Sequence, residues 1–306
     1  MDGSSVDWVE RLAEVARLLD DRNNLPGRHE LTDEQWALVG PRLPEPKPIG
    51  RPPRPNRQML NGVLWVLRTG APWRDLPRDR FGPYTTVYTR FAEWRQKGVF
   101  DEVVEQLLGA LNETGSIDWE LWCVDGSVAR AARCAGGYPA AGGPPEEPKD
   151  HALGMSRGGT GTKFHLVSDG KGTPLAVTVT AGQAHESKSF EDALDAVRIP
   201  QSSPGRPRKR PDAVAGDKGY SFKWIRDWLR VRGIERVIAQ KSNQEGRRGG
   251  HNKFDKAKYR RRHVVEQCVG WLKESRRVLT RFEKLAVSYL AMLKLAFVLR
   301  YLRLLA

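Results

Sequence analysis

The sequence has few cysteines and lacks the features of a secreted protein. Its 306 residues include three cysteines, Cys123, Cys134 and Cys268, and none of them forms a Cys-x2-Cys pair. This spacing excludes a disulfide framework and a cysteine zinc site, and it favours a reducing cytosol. The N-terminus also lacks the basic start and the apolar run of a signal peptide. We therefore expect a cytoplasmic protein, and the length predicts about two domains.

Uninterrupted apolar runs are also missing. The most apolar segment, residues 285–305, is broken by Lys294, Arg300 and Arg303. Charges inside a bilayer are costly, so this segment is predicted to be a buried or partner-facing helix. No membrane partner is expected.

Negative charge is scarce relative to positive charge. The chain has 51 Lys and Arg against 37 Asp and Glu, a formal net charge of +14. Between Lys241 and Arg281 thirteen cations, Arg277 among them, face four acids. A solubilising face remains an alternative, but it would be better served by mixed signs. The excess favours a polyanionic partner, and Arg277 is one predicted contact.

The pattern of apolar, polar and turn-forming residues divides the chain into three parts. Residues 1–30 form an amphipathic helix followed by a polar linker. Residues 31–115 are helical, and residues 116–306 alternate strands with helices. The third part contains a Gly/Pro-rich loop at about 135–162 and ends in the apolar helix. The predicted order of its elements is β-β-β-α-β-α-β-α, a mixed sheet flanked by helices and hence an α/β (α+β) fold.

The helical part has features of a helix-turn-helix. Thr32 followed by Gln35 is typical of a capping box. A helix rich in Thr, Tyr and Arg is predicted after Gly82-Pro83. Such side chains reach phosphates and base edges, although a small structural bundle would look similar. The candidate DNA contacts are Thr85, Thr86, Tyr88 and Arg90.

Four polar residues recur on one face of an apolar-periodic segment at about 258–279: Tyr259, Arg262, Glu266 and Lys273. At about 100° per residue they fall within roughly 60° of one another on a helix. A single carboxylate among cations is unusual for a solvated face. It indicates a site that holds a positive ion next to a negative group, as a metal-dependent enzyme acting on phosphates requires.

Two aspartates, Asp125 and Asp217, complete a possible set of three acids. Each is expected just beyond the end of an apolar strand, and the helix of Glu266 could pack over them. Carboxylates suit Mg²⁺ or Mn²⁺, and two such ions could clamp a phosphoryl transfer. Alternatives stay open for each residue, because Asp-Gly often forms a simple turn and Glu266 could lie on the surface.

Several motifs together resemble those of DDE transposases of bacterial insertion sequences, specifically the insertion-sequence-five group. Tyr-x2-Arg-x3-Glu-x6-Lys is matched in full by the four residues of the polar face. Further stretches match the group's acidic motifs, its central segment and its helical domain. They are Val124-Asp125-Gly126-Ser127, Gly216-Asp217-Lys218-Gly219-Tyr220, residues 152–163, residues 182–187, Arg68-Thr69-Gly70, Trp73-Arg74 and Leu76-Pro77.

The resemblance implies a ribonuclease-H-like core in which Asp125, Asp217 and Glu266 bind two Mg²⁺ or Mn²⁺ ions. Water would attack the phosphodiester at the element's end, and the freed 3′-hydroxyl would then attack target DNA. Tyr259, Arg262, Lys273, Arg157 and Lys163 would contact DNA. The group commonly has Asp after the histidine where this chain has His185-Glu186, so His185 is either an auxiliary residue or a structural one.

The resemblance also implies partners and a cellular place. We expect binding to double-stranded DNA, both terminal inverted repeats and target, in a homodimer or larger assembly associated with the nucleoid. A catalytically silent DNA-binding regulator derived from a transposase is the alternative. A nuclease or repair enzyme with the same core is a third possibility, but a helix-turn-helix favours recognition of particular ends.

Overall fold

The structure is a computed structural model that describes residues 27–45, 52–136, 143–156, 158–201, 208, 210–241 and 254–305. Three earlier predictions fall wholly or largely outside these residues. They are the N-terminal helix within 1–30, part of the Gly/Pro-rich loop, and the contact of Arg157 with DNA.

The helical part begins at Thr32, whose side chain and that of Gln35 form the predicted capping box. Its second helix ends at Gly70, which adopts a left-handed conformation with φ of 70°. That conformation suits glycine because it has no Cβ. The described α-helices of this part are α1 Asp33–Val39, α2 Asn56–Thr69, α3 Arg78–Phe81, α4 Tyr84–Gln96 and α5 Val99–Glu113.

A mixed sheet follows. The central strand β1 is antiparallel to β3, which in turn is antiparallel to β4, while β5 and β6 run parallel to β1. Two short strands, β2 and β7, pair with β3 and β1. The strands are β1 Leu121–Ala131, β2 Gly154–Ser156, β3 Gly159–Asp169, β4 Pro174–Ala181, β5 Ala213–Gly216, β6 Glu235–Ile238 and β7 Thr280–Arg281.

Helices flank this sheet, which confirms the predicted α/β (α+β) class, a mixed sheet preceded by a helical region. The helix α9 lies over β1 and β3, and α11 packs against β4 and α5. The later α-helices are α6 Phe190–Asp195, α7 Lys223–Val231, α8 Lys256–Arg261, α9 His263–Lys273, α10 Arg276–Leu279 and α11 Ala286–Leu305. Among the described helices, none has the length and apolar character that crossing a bilayer demands.

Three local predictions were wrong. Asp125 does not follow a strand but lies inside β1, because β3 supplies cross-strand partners from Trp122 to Arg130. The expected loop at about 135–162 includes β2 and the start of β3. The segment 258–279, expected to be one helix, forms three. The first break is at Arg262, whose backbone N–H donates to the Tyr259 carbonyl only three residues back. The second is at Ser275, whose backbone is extended.

The helical part and the sheet share one core. Buried apolar side chains form a continuous cluster from Leu31 to Leu302. Polar contacts also join the two parts: Lys294 of α11 binds Asp101 of α5, and Arg277 donates to the carbonyl of Ala71 at 2.9 Å. The predicted domain boundary near residue 115 stays a prediction, but the two sides of it are packed together.

The buried His165 ring of β3 predicts an acid-sensitive fold. Burial, followed by the charge of Lys163, lowers the pKa of His165 from 6.5 to about 4. Since the unfolded chain binds this proton near pH 6.5, the stability due to His165 is complete above that pH and is lost as pH falls toward 4. We expect a loss approaching about 3 kcal/mol.

Urea unfolding at pH 7, 5 and 4 checks this expectation on wild type and His165→Gln. The difference in unfolding free energy between the two proteins should shrink as pH falls. A difference that does not change with pH would contradict the prediction.

Candidate active site

Asp125 and Asp217 occupy matching positions of neighbouring strands. Val124 of β1 is paired in parallel register with Gly216 of β5, so an aspartate is the next residue on each side. Side chains at matching positions of adjacent parallel strands project to the same face. The register therefore places the two carboxylates next to each other at the point where β5 ends.

The surroundings of Asp125 are unfavourable for its negative charge. Burial raises the pKa of Asp125 to about 6, and the charges of Glu186 and Asp217 act in the same direction. The Arg262 guanidinium is the main opposing influence. A carboxyl group in this position ionises more readily when positive charge is brought close to it.

Glu266 lies on α9, and its side chain is 54% exposed. Arg262 is positioned between the acids: one of its terminal nitrogens is 2.5 Å from Glu266 Oε1, and the other is 4.0 Å from Asp125 Oδ1. The guanidinium thus connects Glu266 to Asp125. Within the described ranges, no three His, Cys, Asp or Glu side chains are grouped closely enough to hold a metal ion.

Sequence reasoning missed the contribution of Glu186 to this site. A Cβ on Gly126 would come within 2.7 Å of Glu186 Cγ, so glycine next to Asp125 makes room for this second acid. Glu186 Oε1 is 3.3 Å from Lys163 Nζ. The acidic residue after His185 was visible in the sequence, but only the fold shows that it lies against β1.

His185 has a local structural role. Its Nδ1 accepts hydrogen bonds from the backbone N–H of Ser187 at 3.3 Å and from the Ser187 hydroxyl at 2.8 Å. Its ring stacks edge-on to Phe222 at 5.4 Å. These contacts cap the 3-10 turn that carries Glu186, and so His185 holds that acid in place.

Two lysines predicted to contact DNA, Lys273 and Lys163, donate to backbone carbonyls. Lys273 donates to the carbonyl of Val128 at 3.3 Å, and burial lowers the pKa of Lys273 while the charge of Asp125 opposes that effect. Lys163 also donates to the carbonyl of Ala184 at 2.9 Å. Tyr259 packs against Phe254, with ring centroids 5.1 Å apart.

Two protein families match the chain, one in its helical part and the other in the part that contains the sheet. A family described as "Putative transposase of IS4/5 family" matches residues 31–104. A second, described as "Transposase DDE domain", matches residues 120–300 and thus more than half of the chain. This chain belongs to the DDE transposase family.

Relatives of this transposase include two products of the insertion element IS402 of Burkholderia cepacia. An uncharacterized 16.2 kDa protein of that element is 42% identical over 107 residues, which are 33% of this chain and 73% of the relative. A putative transposase of IS402 is 36% identical over 148 residues, 48% of this chain and 66% of the relative. The chain thus matches about two-thirds of the length of that second relative.

A solved structure, the Mos1 strand transfer complex, aligns with 76% of the transposase and 82% of its own chain, at 12% identity and a TM-score of 0.24. So low a score supports no inference about this chain. Its assignment as a DDE transposase rests on the family match.

Three of the four predicted DNA contacts on the recognition helix of the transposase are exposed. Thr85, Thr86 and Tyr88 of α4 are exposed to solvent. Arg90 is half-buried and bonds to Asn56 Oδ1 at 2.7 Å. The first three side chains are therefore free to reach DNA, while Arg90 would have to leave an internal partner.

One predicted DNA contact of the transposase is corrected by the structure. Arg277 is buried: its Nε is 2.6 Å from Glu283 Oε1, and its Nη1 donates to Ala71. An arginine enclosed in this way cannot reach a DNA phosphate. The basic run around it suggested a surface role, but the side chain instead joins α10 to the helical part.

Proposed function

We propose that this transposase cuts DNA at the ends of its element and joins the freed 3′-hydroxyl to target DNA, with Asp125, Asp217 and Glu266 as its catalytic acids. The observation that carries the proposal is the parallel register that sets Asp125 beside Asp217, under the helix that bears Glu266. Phosphoryl transfer depends mainly on positioning and on electrostatic stabilisation, and this site has groups for both.

The chemistry of the donor set fits a divalent cation. The three acids supply hard carboxylate oxygens of the kind that Mg²⁺ and Mn²⁺ prefer. The raised pKa of Asp125 comes first from burial, and the charges of Glu186 and Asp217 add to it. Arg262 already provides positive charge between Asp125 and Glu266. Asp125, Asp217 and Glu266 would hold the ions, two in the full proposal. Bound there, the ions would polarise the phosphodiester and lower the pKa of the attacking water.

The basic residues of the site bind and orient the DNA strand. Arg262 lies between α8 and α9, and Lys273 is the last residue of α9. Both would contact a phosphate held next to the acids. Tyr259 adds a hydroxyl and an aromatic ring to the same surface. Phosphate contacts of this kind fix the position of the DNA without reading its sequence. The exposed side chains of α4 would read the terminal repeat, and pairing of two ends would require a dimer or a larger assembly.

The experiment that tests this proposal is cleavage of labelled DNA that carries the inverted repeats flanking the gene, in Mg²⁺, Mn²⁺ or EDTA. We expect nicking at the repeat boundary with either ion and none with EDTA, because the carboxylates alone cannot activate water. A scrambled repeat of equal length is the control substrate.

The same experiment distinguishes an active transposase from a catalytically silent DNA-binding regulator. A wild-type protein that binds the repeat tightly but does not cleave it in either ion would be a silent regulator. Cleavage that is equally fast in EDTA would contradict the role of the acids.

A further inference from the structure

A second basic site lies beyond the C-terminal end of α9. It is a cavity of about 500 Å³, here named the arginine pocket. Its ionisable lining residues are Arg28, His29, Arg68, Glu274, Arg276 and Arg303. Arg68 belongs to the Arg68-Thr69-Gly70 motif, which has no role in the proposed phosphoryl transfer.

Close packing brings these cations together from distant parts of the chain. Arg68 lies in the last turn of α2, which Gly70 ends in a left-handed conformation. A Cβ at Gly70 would come within 2.8 Å of Arg276 Cβ, so the glycine lets the two segments touch. Arg303 of α11 lies over the ring of Trp271 at 5.6 Å. The pocket is therefore built by the fold and is not a chance patch of flexible side chains.

The charges in the pocket are not balanced. Glu274 is the single acid that lines it in the described part of the chain, against four arginines. Burial lowers the pKa of Arg68, and the charge of Arg303 adds to this effect. The charge of Glu274 acts on Arg68 and raises the pKa of its guanidinium, but this influence is smaller than those of burial and of Arg303. Like charges held this close are stabilised by an anion, and guanidinium groups bind phosphate oxygens in pairs.

The pocket lies at a useful distance from the acids. Glu274 directly follows α9 and is eight residues beyond Glu266, which corresponds to about 12 Å along a helix. Lys273 lies between the two sites. A DNA strand rises about 3.4 Å per phosphate, so about three nucleotides span that interval.

We propose that the arginine pocket binds a backbone phosphate of the DNA strand about three nucleotides from the scissile phosphate. The inference rests on the proposed function, because it takes the acids as the place of cleavage. The ligand is a phosphodiester, recognised by Arg68 and Arg276 through charge and paired hydrogen bonds. Since no base is read, the pocket would act on every sequence.

Salt-dependent DNA binding tests this assignment with Arg68→Gln and Arg276→Gln. The control is Arg230→Gln, which removes the same charge from an exposed residue of α7. Each pocket variant should bind the repeat DNA about tenfold more weakly, with a slope of log K against log salt that is smaller by about one. Arg230→Gln should keep the wild-type slope. Arg68→Lys retains the charge and should keep the slope too, which separates lost contact from misfolding.

A neutral methylphosphonate placed at single positions of the DNA locates the contact. One position, about three nucleotides from the cleavage point, should weaken wild-type binding and leave Arg68→Gln unaffected. If every position weakens both proteins equally, the pocket does not hold the backbone and the inference is overturned.

Inorganic phosphate tests whether the pocket binds a free phosphate ion instead of a phosphate of the DNA backbone. If it raises the Tm of wild type but not of Arg68→Gln, while both bind DNA with the same slope, the pocket takes a free phosphate and the inference is overturned. Cleavage distinguishes failure of this inference from failure of the proposed function. If only the inference fails, wild type still cleaves the repeat DNA with Mg²⁺. If the proposed function fails, wild type does not cleave it.

Discussion

Glu266→Gln is expected to reduce Mg²⁺-dependent cleavage by about 10³-fold or more, on the scale of losing one charged group from a catalytic set. The amide keeps the shape of the side chain but removes the charge that would hold a cation. DNA binding should change little, because Arg262 and Lys273 remain. The measurement is the initial rate of nicking of labelled repeat DNA, together with the affinity for the same DNA.

Glu113→Gln is the matched control for that substitution. Glu113 is exposed at the end of α5 and belongs to none of the groups placed in the site, so its substitution should leave the rate unchanged. A Glu266→Gln protein that turns over at the wild-type rate would remove Glu266 from the proposed set.

Arg277→Ala is expected to lower the free energy of unfolding by about 3–5 kcal/mol, the usual effect of breaking a buried ion pair from one side. The substitution leaves the Glu283 carboxylate buried without its partner, since the two side chains are 6% and 5% exposed. It also removes the hydrogen bond to Ala71 that joins α10 to the helical part. Urea unfolding at pH 7 measures the change.

Two further variants make the stability test specific. Arg276→Ala removes a neighbouring exposed arginine and should alter stability by less than about 0.5 kcal/mol. The double variant Arg277→Met with Glu283→Leu replaces the buried pair by apolar groups and should recover much of the loss. Equal effects of Arg276→Ala and Arg277→Ala would contradict the role assigned to the pair.

Local signals predicted much of the fold. Thr32 and Gln35 predicted the start of α1 because a capping box is formed by residues three apart. The turn around Gly170 predicted the hairpin of β3 and β4, and the apolar residues before Asp217 predicted β5. Each of these features depends on neighbours in the sequence, and so each could be found without knowledge of the fold.

The remaining features depend on distant partners. β1 continues through Asp125 only because β3 lies beside it from Trp122 to Arg130. Arg277 stands in a basic run, and its burial depends on Glu283 and on a carbonyl 206 residues away. The approach of Glu186 to Gly126 requires the turn after β4 to fold back over β1. Sequence spacing carries no information on such contacts.

The continuous core has a consequence for synthesis on the ribosome. The helix α11 is made last among the described elements, yet it packs against α5 and β4 and binds Asp101 through Lys294. Until it emerges, the helical part made first exposes the apolar side chains that α11 will cover. The nascent chain is therefore dependent on protection from aggregation during translation, and the packing of its helical part is completed only when the last described helix has been made.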